Sequence, residues 1–263
     1  MRRLLIILLS AVSVMALAQE FWLQPGKYIY QAGETLALSF REGENFAGTP
    51  WDLATHKIEK LELHQRAGVT NLRDRVSAGN KDNVSVALQQ EGDVLLALQS
   101  NTTLIDTEAE KFNAYLKEYG LDEVYDQREK KNQLAADGKE LFSRYAKLLV
   151  QVGSKTDDTW KKAVGFPAEI IPLQDPYSLK IGDRIQFKVL FQGKPVFGAR
   201  VKVWNRYKNR TTLQNIYSEQ NGVIETTLSI PGEWMVAYVK MMPLKSAEAE
   251  WQSYRASLTF GVK

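Results

Sequence analysis

Residues 184–191 read RIQFKVLF, and apolar side chains alternate with polar ones along almost the whole stretch. An alternation with a period of two is the pattern of an extended strand that buries one face and exposes the other. The side expected to face inward carries Ile185, Phe187, Val189 and Phe191. This stretch therefore predicts a half-buried β-strand in the second half of the chain.

The segments that follow this strand carry the same pattern. A QGKP turn leads into ARVKVW, NGVIETTLSI, EWMVAYVKM and YRASLTFGV, and SEQNG and IPGE supply turn sequences between strands. Short alternating strands at this spacing are typical of a small antiparallel sandwich. We therefore predict an immunoglobulin-like β-sandwich over residues 168–263.

Strand patterns also dominate the first half of the chain. TLALSF places Leu36, Leu38 and Phe40 on one side, and NVSVALQQ repeats the alternation. KIEKLEL and GDVLLALQS are further expected strands, because they are short apolar or alternating runs bounded by turn residues. We predict a β-rich domain over residues 19–167, so the expected fold class of the whole chain is mainly β.

A helical insertion is expected within this first domain, over about 105–145. Thr107 and Glu110 form a candidate capping box, and Gly120 fits the end of a helix. The charged segment QREKKNQLAADGKELFSRYAK is expected to continue the helical region despite Gly138. The residues that recur at helical spacing, and so form one apolar stripe, are Phe112, Tyr115, Leu116 and Tyr119.

The segment VGFPAEIIPLQDPYSLKIGD, between the two predicted domains, contains three prolines. Proline has no backbone N–H and cannot donate to a sheet ladder. We therefore expect this segment to be a linker, with the domain boundary near residues 165–175.

Residues 1–18 have the features of a cleavable export signal. Two arginines follow the initial methionine, and a run of 15 apolar or small residues from Leu4 to Ala18 comes next. That run is shorter than the roughly 20 residues that cross a bilayer, and Ala16 and Ala18 fit signal peptidase. We expect cleavage after Ala18, a mature chain that begins at Gln19 and has no membrane span, and a periplasmic location.

Composition excludes several classes of function. Lys and Arg total 34 and Asp and Glu total 31, so the full chain has a formal charge of +3, and removal of the two leader arginines leaves +1. Such a chain offers no basic field for nucleic acid. Cysteine is absent, which removes disulfides, thiolate metal sites and a catalytic thiol.

Six sequence blocks carry a resemblance that spans nearly the whole mature chain. In order they are EFWLQP, GENF, FNAYLKEYGL, SRYAK, DPYSLKIGD and WQSYRASLTF. Together they resemble a bacterial periplasmic domain-of-unknown-function family that is often labelled nickel- or cobalt-uptake-associated. The resemblance implies a metal-transport-associated role beside an envelope transporter. Members usually have a histidine directly after the signal and many have another near the end, where this chain has Gln19 and Lys240.

A carboxamide and an ammonium are poor ligands for nickel or cobalt compared with imidazole, so we expect any metal site here to be weak. Its candidate ligands are the free amine of Gln19, with Glu20, Glu44 and Asp175. The chain has two histidines, His56 and His64, whose spacing matches no usual ligand pattern. Both are expected to be ordinary surface or turn residues.

A second candidate site lies in SRYAK. In a strand, Tyr145 and Lys147 would share one side and Arg144 would lie on the other. The two basic side chains beside the Tyr145 ring predict a site for an anionic ligand or an acidic partner. Lys240 is a further candidate residue for this role. The alternative is structural, with the basic groups paired to Glu44 or Asp175 at the domain junction. Five tryptophans present the same choice between core packing and stacking on a sugar or peptide. They are Trp22, Trp51, Trp204, Trp234 and Trp251.

These features predict a non-enzymatic periplasmic accessory or binding protein with weakened or lost metal binding. The alternative is a structural or interaction module of the cell envelope that binds a protein or a glycan. A hydrolase would need His56 or His64 beside a serine and a carboxylate, and the chain has no G-x-S-x-G elbow to support it.

Overall fold

The computed structural model describes residues 19–78 and 82–263. The expected leader, residues 1–18, lies outside them. The prediction of a mainly β chain is confirmed, because eighteen strands and two α-helices make up the regular structure of the described residues, with two short 3₁₀ helices. No helix within these described ranges is long and apolar enough to cross a membrane.

The strands of the first half are β1 (Glu20–Pro25), β2 (Ile29–Tyr30), β3 (Thr35–Glu44), β4 (Ala47–Pro50), β5 (Ile58–Gln65), β6 (Gly68–Asn71), β7 (Val84–Ala87), β8 (Gly92–Ser100), β9 (Thr103–Thr107) and β10 (Gly138–Val152). Those of the second half are β11 (Ala168–Pro172), β12 (Arg184–Phe191), β13 (Lys194–Pro195), β14 (Arg200–Tyr207), β15 (Arg210–Tyr217), β16 (Val223–Thr227), β17 (Gly232–Pro243) and β18 (Trp251–Val262). The helices are α1 (Ala109–Glu118) and α2 (Asp122–Lys130), and the 3₁₀ turns are Arg73–Arg75 and Asp158–Lys161.

One large sheet runs through both halves of the chain. Its order is β15-β14-β17-β18-β10-β8-β5-β6, and β2 and β9 also pair with β10. The halves meet where β10 and β18 pair in parallel, from Glu140 opposite Trp251 to Leu148 opposite Thr259. The predicted boundary near residue 167 stays a prediction, while the sheet itself is shared.

Two smaller sheets cover this large sheet and enclose the core. The sheet of β1, β3, β4 and β7 encloses one cluster, and the sheet of β11, β12, β13 and β16 encloses another and completes the predicted sandwich. Strand β10 contributes to both clusters, with Leu148 in the first and Leu149 in the second. Strand β10 is buried on both faces from Phe142 to Val152, although Ser143, Arg144, Lys147 and Gln151 interrupt its apolar residues.

The helical prediction over 105–145 is correct only in its middle. The helices end at Lys130, and residues from Gly138 onward form β10. Gly138 is needed here because a Cβ on it would lie 2.3 Å from the Phe112 ring. The predicted stripe of α1 is buried against Val239, Met241 and Trp251, so the element type and its face are confirmed.

The ends of α1 are determined by one predicted residue and one that was not predicted. Gly120 has a φ of +64° just beyond the helix, as a helix stop requires. The capping box of Thr107 and Glu110 is wrong. Instead, the carboxylate of Asp137 accepts a hydrogen bond from the N–H of Ala109 at 3.0 Å, which satisfies one of the free donors at this helix start.

The proline-rich segment contains a strand. Residues 168–172 form β11, which pairs with β12 from Ala168 opposite Phe191 to Pro172 opposite Phe187. Pro167 precedes the strand and Pro172 ends it, so the prolines lie where a ladder donor is least needed. The segment therefore contributes a strand to a sheet, and its role as the link between two domains stays a prediction.

Candidate functional site

The amino-terminal strand lies at the end of the described chain that was predicted to carry metal chemistry. Glu20, the first residue of β1, pairs with Gly43 of β3. Glu44 follows Gly43 directly, so the sheet brings Gln19, Glu20 and Glu44 to the same end. Asp175 belongs to a different cluster, so the four candidate ligands do not converge.

The carboxylate of Glu20 is already engaged. Its Oε1 lies 3.1 Å from Lys202 Nζ and accepts a hydrogen bond from the Tyr119 hydroxyl at 3.0 Å. Lys202 also contacts Glu118 at 2.5 Å, and the side chains of Glu20 and Lys202 are each only 3% exposed. Burial raises the pKa of Glu20, and the charge of Lys202 acts in the opposite direction. We call Glu20, Lys202, Tyr119 and Glu118 the terminal lock.

Next to the terminal lock is a cavity of about 20 Å³, room for about one water molecule. Gln19 and Glu20 line it together with Tyr115 and Arg255. Its walls therefore hold both charges and phenol rings. A cavity of this size fits a water or a small ion and is far below the volume of a drug-sized ligand site.

The hairpin between β3 and β4 packs beside the same strand. Asn45 and Phe46 have φ values of 55° and 54°, which side-chain-bearing residues adopt rarely. Phe46 is fully buried and its ring lies 5.3 Å from that of Trp22, with Trp204 in the same cluster. Arg206 donates a hydrogen bond to the Phe46 carbonyl at 2.6 Å. Packing and this bond hold the turn in its strained conformation.

Arg144 of the predicted basic site is buried in an ion pair. Its Nη2 lies 2.9 Å from Glu42, and the side chain is 4% exposed. Burial lowers the pKa of Arg144 to about 10. Opposite it across the β10–β18 ladder, Arg255 pairs with Glu140. The suggested partners Glu44 and Asp175 were wrong for Arg144, since Glu42 takes their place, and the ligand or partner role of Arg144 stays a prediction.

Lys147 lies on the opposite face of β10 and is buried with Tyr145. Its ammonium contacts Glu169 at 2.8 Å and donates to the carbonyls of Lys162 and Ile170, each at 3.1 Å. These three partners use all three donors of the ammonium. Burial lowers the pKa of Lys147. The pairing is again structural, with Glu169 in place of the suggested Glu44 or Asp175.

Asp175 lies near Asp93 and Asp157, where β8, a 3₁₀ turn and the segment after β11 meet. The carboxylate of Asp93 accepts a hydrogen bond from the backbone N–H of Asp157 at 2.9 Å, and that of Asp175 accepts one from the backbone N–H of Tyr177 at 2.9 Å. Burial, with the neighbouring carboxylates, raises the pKa of Asp93 from 3.8 to about 7. Burial also raises the pKa of Asp175.

Asp93→Asn is expected to stabilise the protein above pH 7. Because the pKa of Asp93 is higher in the native state than in the unfolded state, Asp93 destabilises the fold least below about pH 4, where it is protonated in both states. This advantage of the low pH is lost as the pH rises through about 7 and Asp93 ionises in the native state. Melting temperatures should therefore match at pH 4, with the variant a few degrees higher at pH 8. Asp158→Asn, at an exposed carboxylate nearby, is the control, and equal curves for wild type and Asp93→Asn would contradict this origin.

The remaining candidates lie at separate places. His64 is 4% exposed within β5 beside Glu62, so its predicted surface position was wrong, and His56 is half-buried and stacks on Trp51. Lys240 is half-buried in β17 opposite Tyr254 of β18, which itself lies opposite Ser143 of SRYAK, so the sheet places Lys240 two strands from that block, and it makes no ion pair within the described residues. The prediction that the tryptophans pack internally is confirmed for all five named above.

The acidic partners of these buried cations were not predicted. Glu42, Glu140 and Glu169 are far in sequence from the bases they meet, and Lys202 was read only as part of the ARVKVW strand. Alternation does place Lys202 on the same face as Trp204, which is the one sequence signal that favours an inward lysine. Within residues 19–78 and 82–263, no three His, Cys, Asp or Glu side chains are grouped so as to hold a metal ion.

Comparison with known proteins gives one matching family and a number of distantly similar solved structures. The family described as "Domain of unknown function (DUF4198)" matches residues 16–241. No curated protein matches the chain. Three N-terminal domains of the bacteriophage RB49 highly immunogenic outer capsid protein (Hoc) are 7% identical, with 93% of this chain and 71% of that chain covered and a TM-score of 0.24. Escherichia coli alpha-2-macroglobulin activated by porcine elastase is 10% identical, with 92% of this chain but only 20% of that chain covered and a TM-score of 0.25.

Proposed function

This chain belongs to the DUF4198 family, a domain of unknown function, and we propose that it is a non-enzymatic periplasmic accessory or binding protein, associated with nickel or cobalt uptake, in which metal binding is weakened or lost. The observation that carries this proposal is the terminal lock. The carboxylate nearest the expected amino terminus, Glu20, is bound by Lys202 and Tyr119.

A metal at this terminus would have to displace Lys202 from Glu20. That exchange would leave a buried ammonium with only Glu118 as its anionic partner, which is costly. Gln19 offers a carboxamide where an imidazole would be the better ligand for nickel or cobalt. Both features weaken metal binding, and neither interferes with a role in holding a protein or another ligand.

Gln19→His is expected to create a nickel site in the processed protein. Its imidazole and α-amine would form a chelate that does not need Glu20. Isothermal calorimetry should give a Kd weaker than about 100 µM for wild type and at least about tenfold tighter binding for the variant.

Gln19→Ala is the matched control, and it should bind nickel no better than wild type. The amino terminus must first be verified by intact mass, because cyclisation of Gln19 would remove the amine. A wild-type Kd below about 1 µM would contradict weakened binding. Equal affinities for wild type and Gln19→His would contradict the role given to this position.

A second candidate function, an interaction module of the cell envelope, is favoured by a different surface. Phe197 is 69% exposed and Tyr217 is 49% exposed, and both lie at one end of the edge strand β15. Exposed aromatic residues at a sheet edge are typical of a protein-binding surface. Cross-linked capture from an envelope extract, with specific partners absent from mock controls, tests this role.

A further inference from the structure

We infer that the free edge of β15 binds an extended segment of a protein partner, and that this segment carries carboxylate side chains. The inference deepens the proposed binding role and rests on it. It concerns a part of the molecule far in sequence from the terminal lock.

Strand β15 is the last strand of the large sheet, and among the described strands it pairs with β14 alone. Tyr207 and Arg210 close a two-residue turn, so they form a hydrogen-bonded pair, and every second residue after Arg210 also points its backbone groups toward β14. The residues between them direct N–H and C=O groups to the open side. These residues are Thr211, Leu213, Asn215 and Tyr217.

The open side has few of the features that usually protect a sheet edge. Natural edge strands are often shortened, bulged or interrupted by proline or inward charges. Strand β15 pairs over eight consecutive residues without a bulge and reads RTTLQNIY, with no proline. The four outward residues make no further backbone hydrogen bond within the described chain. A second strand therefore finds a full set of donors and acceptors.

Apolar side chains lie along the same edge. Leu213 is 39% exposed, Tyr217 is 49% exposed and both share one face of the strand. Phe197 lies at the end of the strand, because the N–H of Gly198 donates to the carbonyl of Ser218 at 2.9 Å. An added strand would bury these rings and Leu213, which gives contacts beyond the backbone bonds.

The charges along the edge select the partner. Lys208 and Arg210 lie at the turn end and Arg200, opposite Tyr217, lies at the other end, and none of them makes an ion pair within the described residues. Among the described residues, the carboxylates beside this edge are Glu219 and Glu118, and Glu118 is paired with Lys202 opposite Asn215, so unpaired positive charges outnumber unpaired negative ones. Charge complementarity therefore favours a segment with Asp or Glu side chains.

The same charges argue against a second copy of this chain as the occupant. Two copies of β15 paired antiparallel about a two-fold axis would place the turn end of one strand beside the far end of the other. Lys208 and Arg210 of one copy would then approach Arg200 of the other copy. Like charges brought together in this way oppose association.

Two labelled eight-residue peptides test the inference by fluorescence anisotropy with the processed protein. One alternates valine with glutamate and the other alternates valine with lysine. We expect the acidic peptide to bind at least about tenfold more tightly than the basic one, with a preference that falls as salt is added.

Two sets of variants separate the backbone edge from its charge. Asn215→Pro removes an outward N–H and leaves the β14 ladder intact, so acidic-peptide affinity should fall at least about tenfold. Val69→Pro, at the opposite edge strand β6, is its control. Lys208→Glu with Arg210→Glu should reverse the peptide preference, whereas Lys245→Glu should not. Melting curves verify that each variant folds.

The inference is overturned if wild type binds neither peptide, prefers the basic one, or binds as well after Asn215→Pro. Self-association that Asn215→Pro abolishes would identify a second copy as the occupant and would also overturn it. If envelope capture survives in a folded Asn215→Pro variant, the proposed binding role stands and only the edge is wrong. If capture fails in wild type while the acidic peptide binds, the envelope role is contradicted instead.

Discussion

Replacing Lys202 with methionine is expected to lower the free energy of unfolding by about 3–5 kcal/mol. Lys202 is the buried cation between Glu20 and Glu118, and the variant leaves the carboxylate of Glu20 buried with the Tyr119 hydroxyl as its remaining polar side-chain partner among the described residues. Urea unfolding followed by tryptophan fluorescence measures the change, because the tryptophans of this region are buried in the native state.

The matched control for this variant is Lys240→Met, at a half-buried lysine in β17 without an ion pair in the described chain, for which we expect a change within about 0.5 kcal/mol. Adding Glu20→Gln to Lys202→Met should restore part of the lost stability, since a neutral amide is less costly to bury than a lone carboxylate. A loss below about 1 kcal/mol for Lys202→Met, or no rescue by Glu20→Gln, would contradict the terminal lock.

Replacing Phe46 with alanine is the second large effect, with an expected loss of about 3–5 kcal/mol. The Phe46 ring is fully buried against Trp22, Trp204 and Met235. The hydrogen bond from Arg206 to the Phe46 carbonyl holds the turn in place, so the turn cannot readily collapse into the cavity that the missing ring would leave. Phe46→Gly should be less damaging than Phe46→Ala by about 1 kcal/mol, because glycine adopts a φ of +54° without strain.

Phe197→Ala is the control for Phe46→Ala, because that ring is 69% exposed and its removal should change stability by less than about 0.5 kcal/mol. Chemical unfolding of all three variants gives the order of their free energies of unfolding. If Phe46→Gly proves less stable than Phe46→Ala, the strained turn does not have the energetic role assigned to it. If Phe46→Ala is nearly neutral, the hairpin does not depend on this ring.

Local periodicity was sufficient to predict most of the fold. The alternation in RIQFKVLF corresponds to β12 without an offset, and the stripe on α1 is buried as predicted. These elements have one buried face, so the period of their side chains records which face that is. The tryptophans were also read correctly, because a large ring in a sheet is normally buried.

The failures come from features that periodicity does not contain. Strand β10 follows a charged helix and is buried on both faces, so neither alternation nor a helical stripe marks its beginning. Strand β15 was not predicted, because an exposed edge strand does not need an apolar face. The capping of α1 by Asp137 depends on a residue 28 positions away in the chain.

The candidate site could be predicted only in part for the same reason. Arg144 and Lys147 lie on opposite faces of β10, as they must in any strand, but this stretch was assigned to the helical region, and their partners Glu42 and Glu169 come from other strands. Which acid meets which base depends on sheet order and register, which a single sequence does not specify. Lys202, the central cation of the terminal lock, is 182 residues from Glu20.

The central claim of this account is that Lys202, and not a metal ion, holds the carboxylate beside the amino terminus. Thermal melting of the processed protein with and without 100 µM nickel, about a hundredfold above a micromolar Kd, tests it most directly. We predict melting temperatures that agree within about 1 °C, since nickel at this concentration leaves the site mostly unoccupied. A rise of about 5 °C or more, as micromolar binding to the native state would give, would contradict it.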